Sequence, residues 1–162
     1  MGNCLIKNEL SKDEIPWFSL DGVVSLCKVI SVYDGDTITV SFIFPTGFCK
    51  TNGVYKTKCR LADIDTAEIA NAESDLEKKF AIETKEYVEK VFKEKNNYVW
   101  IKFGKNDKYG RPLGTIFLNE KDMKHEMSFN NHLVEKGYAY TYNGRKKKKF
   151  SEWKIGQTNY LK

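Results

Sequence analysis

The sequence has little histidine and cysteine, with two histidines and four cysteines among 162 residues. Zinc sites are usually built from close Cys or His pairs, and no C-x-x-C pair occurs here. The spacing also gives no sign of a disulfide framework, and a chain of this length can bury a core without one. The cysteines are Cys4, Cys27, Cys49 and Cys59. The sequence therefore argues against a zinc site.

Long apolar runs are also missing, because no stretch approaches the roughly 20 residues that a membrane-spanning helix needs. Leu5–Ile6 is too short for the apolar core of a secretory signal. We therefore expect an intracellular protein without a transmembrane segment.

The N-terminus nevertheless carries a targeting pattern. Met1-Gly2-Asn3-Cys4 resembles a dual-acylation start, in which myristate on Gly2 and palmitate on Cys4 together provide stable membrane anchoring. Position 6 holds Ile where such starts usually have Ser or Thr. Membrane association through acylation and an accidental match are therefore both open.

The composition is that of a globular chain with a basic surface. Hydrophobic residues make up 41%, aromatic residues 14%, and the net charge is +5. A basic surface favours a polyanionic partner such as DNA or RNA, although this charge alone does not separate nucleic acid from an anionic membrane. We expect a monomer. Residues 1–22 are expected to form an N-terminal extension, residues 23–143 a single domain, and residues 144–162 a basic tail.

Alternating apolar runs separated by turn residues predict five strands. The Ser74-Asp75-Leu76-Glu77 capping box begins a helix that ends at Asn96-Asn97, and a second helix is expected over residues 128–136. This order predicts an α+β fold, mostly β, namely a five-stranded Greek-key barrel of the OB type with two or three packed helices. The predicted strands cover residues 23–33, 37–44, 54–61, 98–103 and 113–118.

Carboxylates follow two of these predicted strands. Asp36 lies in the Asp34-Gly35-Asp36-Thr37 turn, and Asp65 follows the third predicted strand. If the two strand ends are adjacent, both carboxylates can converge on one cation, together with the backbone carbonyl of Thr66. Because every candidate ligand is oxygen, calcium is favoured over softer metals. Taken alone, the first motif is better interpreted as a polar hairpin turn.

Three further side chains suit phosphodiester cleavage. Glu68 lies three residues after Asp65 and can reach a metal-held water as a general base, while Arg60 and Arg111 can grip phosphate oxygens in pairs. Either arginine alone is more simply a surface charge. Their joint occurrence with the carboxylates indicates a site for a metal ion and a phosphodiester.

From residue 23 to residue 142 the chain resembles the staphylococcal nuclease family, whose fold is an OB barrel with helices. The motifs that carry the resemblance are Asp34-Gly35-Asp36-Thr37, Arg60 with Asp65-Thr66-Ala67-Glu68, Asp107-Lys108-Tyr109-Gly110-Arg111, and Leu133-Val134-Glu135-Lys136-Gly137-Tyr138-Ala139.

This resemblance implies Ca²⁺ ligation by Asp36, Asp65 and the Thr66 carbonyl. It also implies that Glu68 is the general base or positions the attacking water. The chain departs from the family at Ala67, which replaces a usual proline. Asp63 is a second departure, and it either adds negative charge near the metal or is a solvated turn residue.

The same resemblance implies that Arg60 and Arg111 grip the scissile phosphate. Lys108 and Tyr109 match residues that contact a nucleotide's terminal phosphate, and Tyr142 matches an aromatic residue beside the base. The family cleaves DNA and RNA to 3'-phosphate ends, which makes a calcium-dependent, sequence-nonspecific nuclease the expected function.

Two alternatives to this function stay open. The first is a non-catalytic OB module that binds nucleic acid or protein, and the second is a membrane-tethering protein whose nuclease fold is incidental. The Lys146–Lys149 run fits a solvated tail, an extension of the nucleic-acid path or a contact with anionic lipid.

Overall fold

A computed structural model describes residues 17–44 and 53–154. The prediction of acylation at Gly2 and Cys4 falls outside these residues and stays a prediction. The described chain contains seven strands and four helices: β1 (Val24–Val32), β2 (Thr37–Phe44), β3 (Gly53–Leu61), β4 (Ile64–Thr66), α1 (Asp75–Glu94), β5 (Tyr98–Asn106), β6 (Pro112–Phe117), α2 (Glu120–Lys124), α3 (Phe129–Glu135), β7 (Ala139–Thr141) and α4 (Phe150–Lys154).

Five strands close into a barrel in the order β1-β2-β3-β6-β5, with β5 pairing back onto β1. All neighbouring strands are antiparallel except β3 and β6, which run parallel. On the parallel side only Arg60 and Leu61 of β3 pair with β6, so the barrel closes there through a short contact. The predicted five-stranded barrel and its α+β class are confirmed.

The barrel core comes from the alternation of side chains along each strand. Every second residue of β2 points inward, and Ile38 and Val40 are fully buried. Cys27 and Cys59 are buried free thiols, and burial raises the pKa of each to about 12. Cys27 therefore behaves as the small buried hydrophobe that its apolar strand predicts.

Helix α1 packs one face against the barrel. Its buried residues recur every three or four positions, as expected for one face of a helix, and they are Glu77, Ala81, Thr84, Val88 and Phe92. The Ser74 hydroxyl caps the helix by accepting the Glu77 N–H at 3.2 Å. Leu76 is apolar yet 64% exposed, because it lies one residue, or about 100° of helix rotation, from Glu77 and the buried face.

The sequence pattern does not predict β4, β7, α2 or α4. Strands β4 and β7 form a separate two-stranded sheet of three residues each, too short for a recognisable alternation. The chain leaves β3 through a turn at Asp63, which has φ +60 and is exposed. Asp63 is therefore a solvated turn residue, and Asp65 lies on β4 outside the barrel.

Across residues 17–44 and 53–154, no helix combines the length and the apolar character that a membrane crossing requires.

Candidate active site

Three side chains from different segments meet in a buried cluster. Asp36 lies just before β2, and the next residue, Thr37, pairs with Arg60 at the end of β3. Arg60 donates from Nη1 to Asp36 Oδ1 at 2.6 Å and from Nη2 to Asp65 Oδ1 at 2.7 Å. All three residues are at most 9% exposed. The two predicted metal ligands therefore converge on one guanidinium, although Asp65 comes from β4 and not from a neighbouring barrel strand.

The two carboxylates experience different surroundings. Burial raises the pKa of Asp36 to about 7, against the opposing effect of the Arg60 guanidinium. Burial also acts to raise the pKa of Asp65, but hydrogen bonds from Tyr140 and Lys147 outweigh it, and the pKa of Asp65 is lowered. Asp65 is thus the better stabilised anion of the pair.

Glu68 lies on the loop after β4, at the rim of this cluster. Its backbone N–H donates to Glu77 Oε1 at 3.2 Å, and Glu77 Oε2 accepts the Glu73 N–H at 2.6 Å. The buried Glu77 carboxylate therefore ties the Glu68 loop to the first turn of α1. Part of this role is visible in the sequence, because Glu77 belongs to the predicted capping box.

Lys147 bridges two of the predicted site residues. Its Nζ lies 2.9 Å from Asp65 Oδ1 and 2.5 Å from Glu68 Oε1. Burial acts to lower the pKa of Lys147, but the two carboxylates outweigh it and the pKa is raised. The sequence marks the Lys146–Lys149 run only as a basic patch, and nothing in it distinguishes Lys147 from its neighbours.

Arg111 precedes β6 and approaches the cluster from another side. Its Nε and Nη2 donate to Asp107 Oδ2 at 2.8 and 2.7 Å, and its Nη1 lies 3.5 Å from Thr37 Oγ1. The Thr37 hydroxyl donates to Asp36 Oδ1 at 2.9 Å. Burial acts to raise the pKa of Asp107, but hydrogen bonds from Arg111 and Tyr109 outweigh it and lower that pKa. Arg111 is thus oriented by Asp107 and connected through Thr37 to Asp36.

The three residues predicted to bind substrate lie around these groups. Tyr109 is 72% exposed in the β5–β6 loop, with Lys108 Nζ 5.0 Å and Arg111 Cζ 5.5 Å from its ring centre. The Tyr142 ring lies 5.9 Å from Arg60 Cζ. The exposed Tyr109 ring beside Arg111 and the partly buried Tyr142 ring beside Arg60 can each stack on a base or a sugar.

Tyr140 is a site residue that the sequence argument missed. It lies on β7, and its hydroxyl donates to Asp65 Oδ2 at 2.6 Å. Burial and this bond raise the pKa of Tyr140, so it stays a hydrogen-bond donor. Because β7 is only three residues long, no alternation in the sequence marks Tyr140 as a site residue.

The donor chemistry at the cluster suits a hard cation. Asp36 and Asp65 supply carboxylates, and the buried Thr66 side chain lies against Gly35, one residue from Asp36. Within the described ranges, no group of three or more His, Cys, Asp or Glu side chains is arranged to hold a metal ion. A cation at this cluster would therefore depend on two carboxylates, a backbone carbonyl and water as its ligands.

Comparison with known proteins adds a family match and two relatives. A family model described as staphylococcal nuclease homologue matches residues 58–158. An uncharacterized protein of Methanocaldococcus jannaschii is 33% identical over 134 residues, covering 71% of this chain and 58% of the relative. An uncharacterized endonuclease of Haemophilus influenzae is 30% identical over 116 residues, covering 72% of this chain and 52% of the relative. The chain thus spans just over half the length of these relatives.

Proposed function

The chain belongs to the staphylococcal nuclease family, and on that premise we propose that it is a calcium-dependent, sequence-nonspecific nuclease. It hydrolyses phosphodiester bonds of DNA or RNA and leaves 3'-phosphate ends. The observation that carries the proposal is the buried Asp36–Arg60–Asp65 cluster with Glu68 at its rim. The similarity to an endonuclease of Haemophilus influenzae supports the same reaction class.

Asp36, Asp65 and the Thr66 carbonyl are the groups that would hold Ca²⁺. A bound divalent cation offsets the negative charge that develops on the phosphate oxygens. The protein's part is to keep two carboxylates close together in a buried site, and Arg60 and Tyr140 do this by donating to them. These contacts fix the carboxylate orientation before a cation arrives.

Arg60 and Arg111 are the proposed phosphate ligands. A guanidinium has five N–H donors, and the carboxylates and neighbouring oxygens use only some of them in each residue. Each arginine can therefore keep its orienting contact and still donate to a phosphate oxygen. Both charges approach the Asp36 end of β2 from different sides, as a phosphate clamp requires.

Glu68 is the proposed acceptor of the water proton. Its backbone N–H is held by Glu77, and its carboxylate contacts the Lys147 ammonium at the rim of the cluster. The carboxylate is half-buried at the rim, where water has access. A carboxylate within one water of the phosphate can deprotonate or orient the nucleophile.

The test is cleavage of single-stranded DNA and of RNA by the purified chain, with calcium or with a chelator. We expect cleavage only with calcium. Arg111→Ala should lower kcat/KM about 10²- to 10³-fold, as the loss of one charged transition-state contact does. The matched control is Arg145→Ala, which removes an exposed guanidinium without a side-chain contact to the cluster and should stay within about threefold of wild type.

Equal cleavage in chelator, or an unaffected Arg111→Ala variant, would refute this mechanism. An intact protein that binds oligonucleotides in calcium but cleaves neither DNA nor RNA would favour the non-catalytic binding module.

A further inference from the structure

The Lys147 ammonium lies between the buried Asp65 carboxylate and the half-buried Glu68 carboxylate, on the solvent side of the proposed cation site. It contacts Asp65 Oδ1 at 2.9 Å and Glu68 Oε1 at 2.5 Å. The same Asp65 oxygen accepts Arg60 Nη2 at 2.7 Å. One oxygen of a proposed metal ligand is therefore shared by two cationic side chains.

The local charges explain why an ammonium is stable here. Asp36, Asp65 and Glu68 carry three negative charges when ionised, and Arg60 supplies one positive charge from the buried side. A surface ion pair usually contributes little, but the Asp65 side chain is only 3% exposed, so water screens this pair weakly. Lys147 therefore adds a second cationic partner to a buried carboxylate that already pairs with Arg60.

The chain on both sides of Lys147 is held in place. The Tyr142 hydroxyl donates to the Arg145 carbonyl at 3.2 Å, and the Lys148 N–H donates to the Tyr140 hydroxyl at 3.0 Å. Trp153 on α4 is buried against Tyr140, with ring centres 5.2 Å apart. These contacts therefore hold the Lys147 backbone close to Asp65 and Glu68.

The Lys147 side chain itself is free to leave. It is 46% exposed, and its four-carbon stem lets the ammonium rotate into water without moving the backbone. A divalent cation on Asp65 would place a second strong charge beside the ammonium, and the two would repel each other. Lys147 and the cation therefore exclude one another.

We propose that Lys147 competes with the divalent cation for Asp65 and holds Glu68, the proposed proton acceptor, until a cation displaces the ammonium. This inference rests on the proposed function, because it assigns the cation to Asp65. It gives one lysine of the basic run a regulatory role that its neighbours lack.

The test is isothermal titration of the full chain with CaCl₂ in the absence of nucleic acid. Lys147→Gln should bind calcium about fivefold to tenfold more tightly than wild type, since no charge-assisted contact has to be broken first. Lys147→Arg, which keeps the charge, should not show this gain. Lys146→Gln is the matched control, because it removes the same charge from an exposed residue outside the cluster, and its calcium affinity should stay that of wild type.

Thermal unfolding in chelator provides a second readout on the same variants. Lys147→Gln should unfold at a lower temperature than Lys146→Gln, because Asp65 and Glu68 lose the contact with the ammonium. Calcium should raise the unfolding midpoint of Lys147→Gln by more than that of wild type. Unchanged or weaker calcium binding by Lys147→Gln would overturn the proposal. Calcium binding to neither protein would also overturn it.

The two proposals fail separately. A tighter calcium site in Lys147→Gln without any nucleic-acid cleavage would refute the nuclease and leave the competition intact. Calcium-dependent cleavage with identical calcium affinities would refute the competition alone.

Discussion

At the scale of single residues, Asp36 is a buried carboxylate that pairs with Arg60 yet keeps a raised pKa of about 7. The convergence of Asp36, Arg60 and Asp65 was predictable, because two motifs supplied matching parts of one chemistry. Tyr140 and Lys147 were not predictable in the same way. The Tyr140 contact depends on the pairing of β4 with β7, and the Lys147 contact depends on the path of the chain after β7. Residue type and spacing encode neither.

The raised pKa of Asp36 predicts a specific pH dependence of stability. The ordinary pKa of an aspartate is 3.8, and the folded value is about 7. Between these values the folded chain holds a proton that the unfolded chain has lost. The free energy of unfolding should therefore fall as pH rises from about 4 to about 7.

Asp36→Asn should remove this dependence. We expect the wild type to lose on the order of 2 kcal/mol more than Asp36→Asn between pH 5 and pH 8. Urea unfolding titrations of both proteins, in the presence of a chelator, measure this change in the free energy of unfolding. Asp63→Asn is the control, because it changes an exposed turn carboxylate and should keep the wild-type pH dependence. Parallel pH curves for wild type and Asp36→Asn would contradict the raised pKa.

At the scale of elements, α1 and the barrel strands were predictable, and the short elements were not. The capping box at Ser74 and the apolar alternation of β2 are local signals that tertiary packing reinforces. Sheet β4–β7 has no such signal, since three residues cannot show a period. That sheet nevertheless brings Asp65 and Tyr140 into register, as paired residues of adjacent strands.

The start of α1 should position Glu68. Glu77→Ala leaves the N–H groups of Glu68 and Glu73 without their shared acceptor, which should cost about 2 kcal/mol of stability. If Glu68 takes part in the reaction, kcat should fall at least tenfold while KM changes less, because the loop moves but the phosphate ligands remain. Steady-state cleavage of a short oligonucleotide and urea unfolding measure both effects.

Glu89→Ala is the matched control, since that glutamate makes only a surface pair with Lys85 on α1. It should change neither kcat nor stability by much. A Glu77→Ala variant that is destabilised but keeps the wild-type kcat would show that Glu77 supports the fold alone.

At the scale of the whole molecule, the five-stranded barrel follows from the strand order. It places the start of β2 beside the end of β3, and Arg111 after the β5–β6 loop contacts Thr37 there. The boundaries 23–143 and 144–162 stay predictions. Helix α4 lies within the predicted tail, and the family match extends to residue 158. In the sequence of this region the lysine run was the recognisable feature. Phe150 and Trp153 of α4 pack onto Phe80, and this long-range contact has no local sequence signal.

The central claim is that this cluster cleaves phosphodiesters with Glu68 as the proton acceptor. Single-turnover cleavage of a single-stranded DNA oligonucleotide in saturating calcium tests it most directly, with mass spectrometry of the product ends. Wild type should give 3'-phosphate ends, and a folded Glu68→Gln variant should be about 10²- to 10⁴-fold slower. A Glu68→Gln variant as fast as wild type, or a wild type that produces no 3'-phosphate ends, would contradict the account.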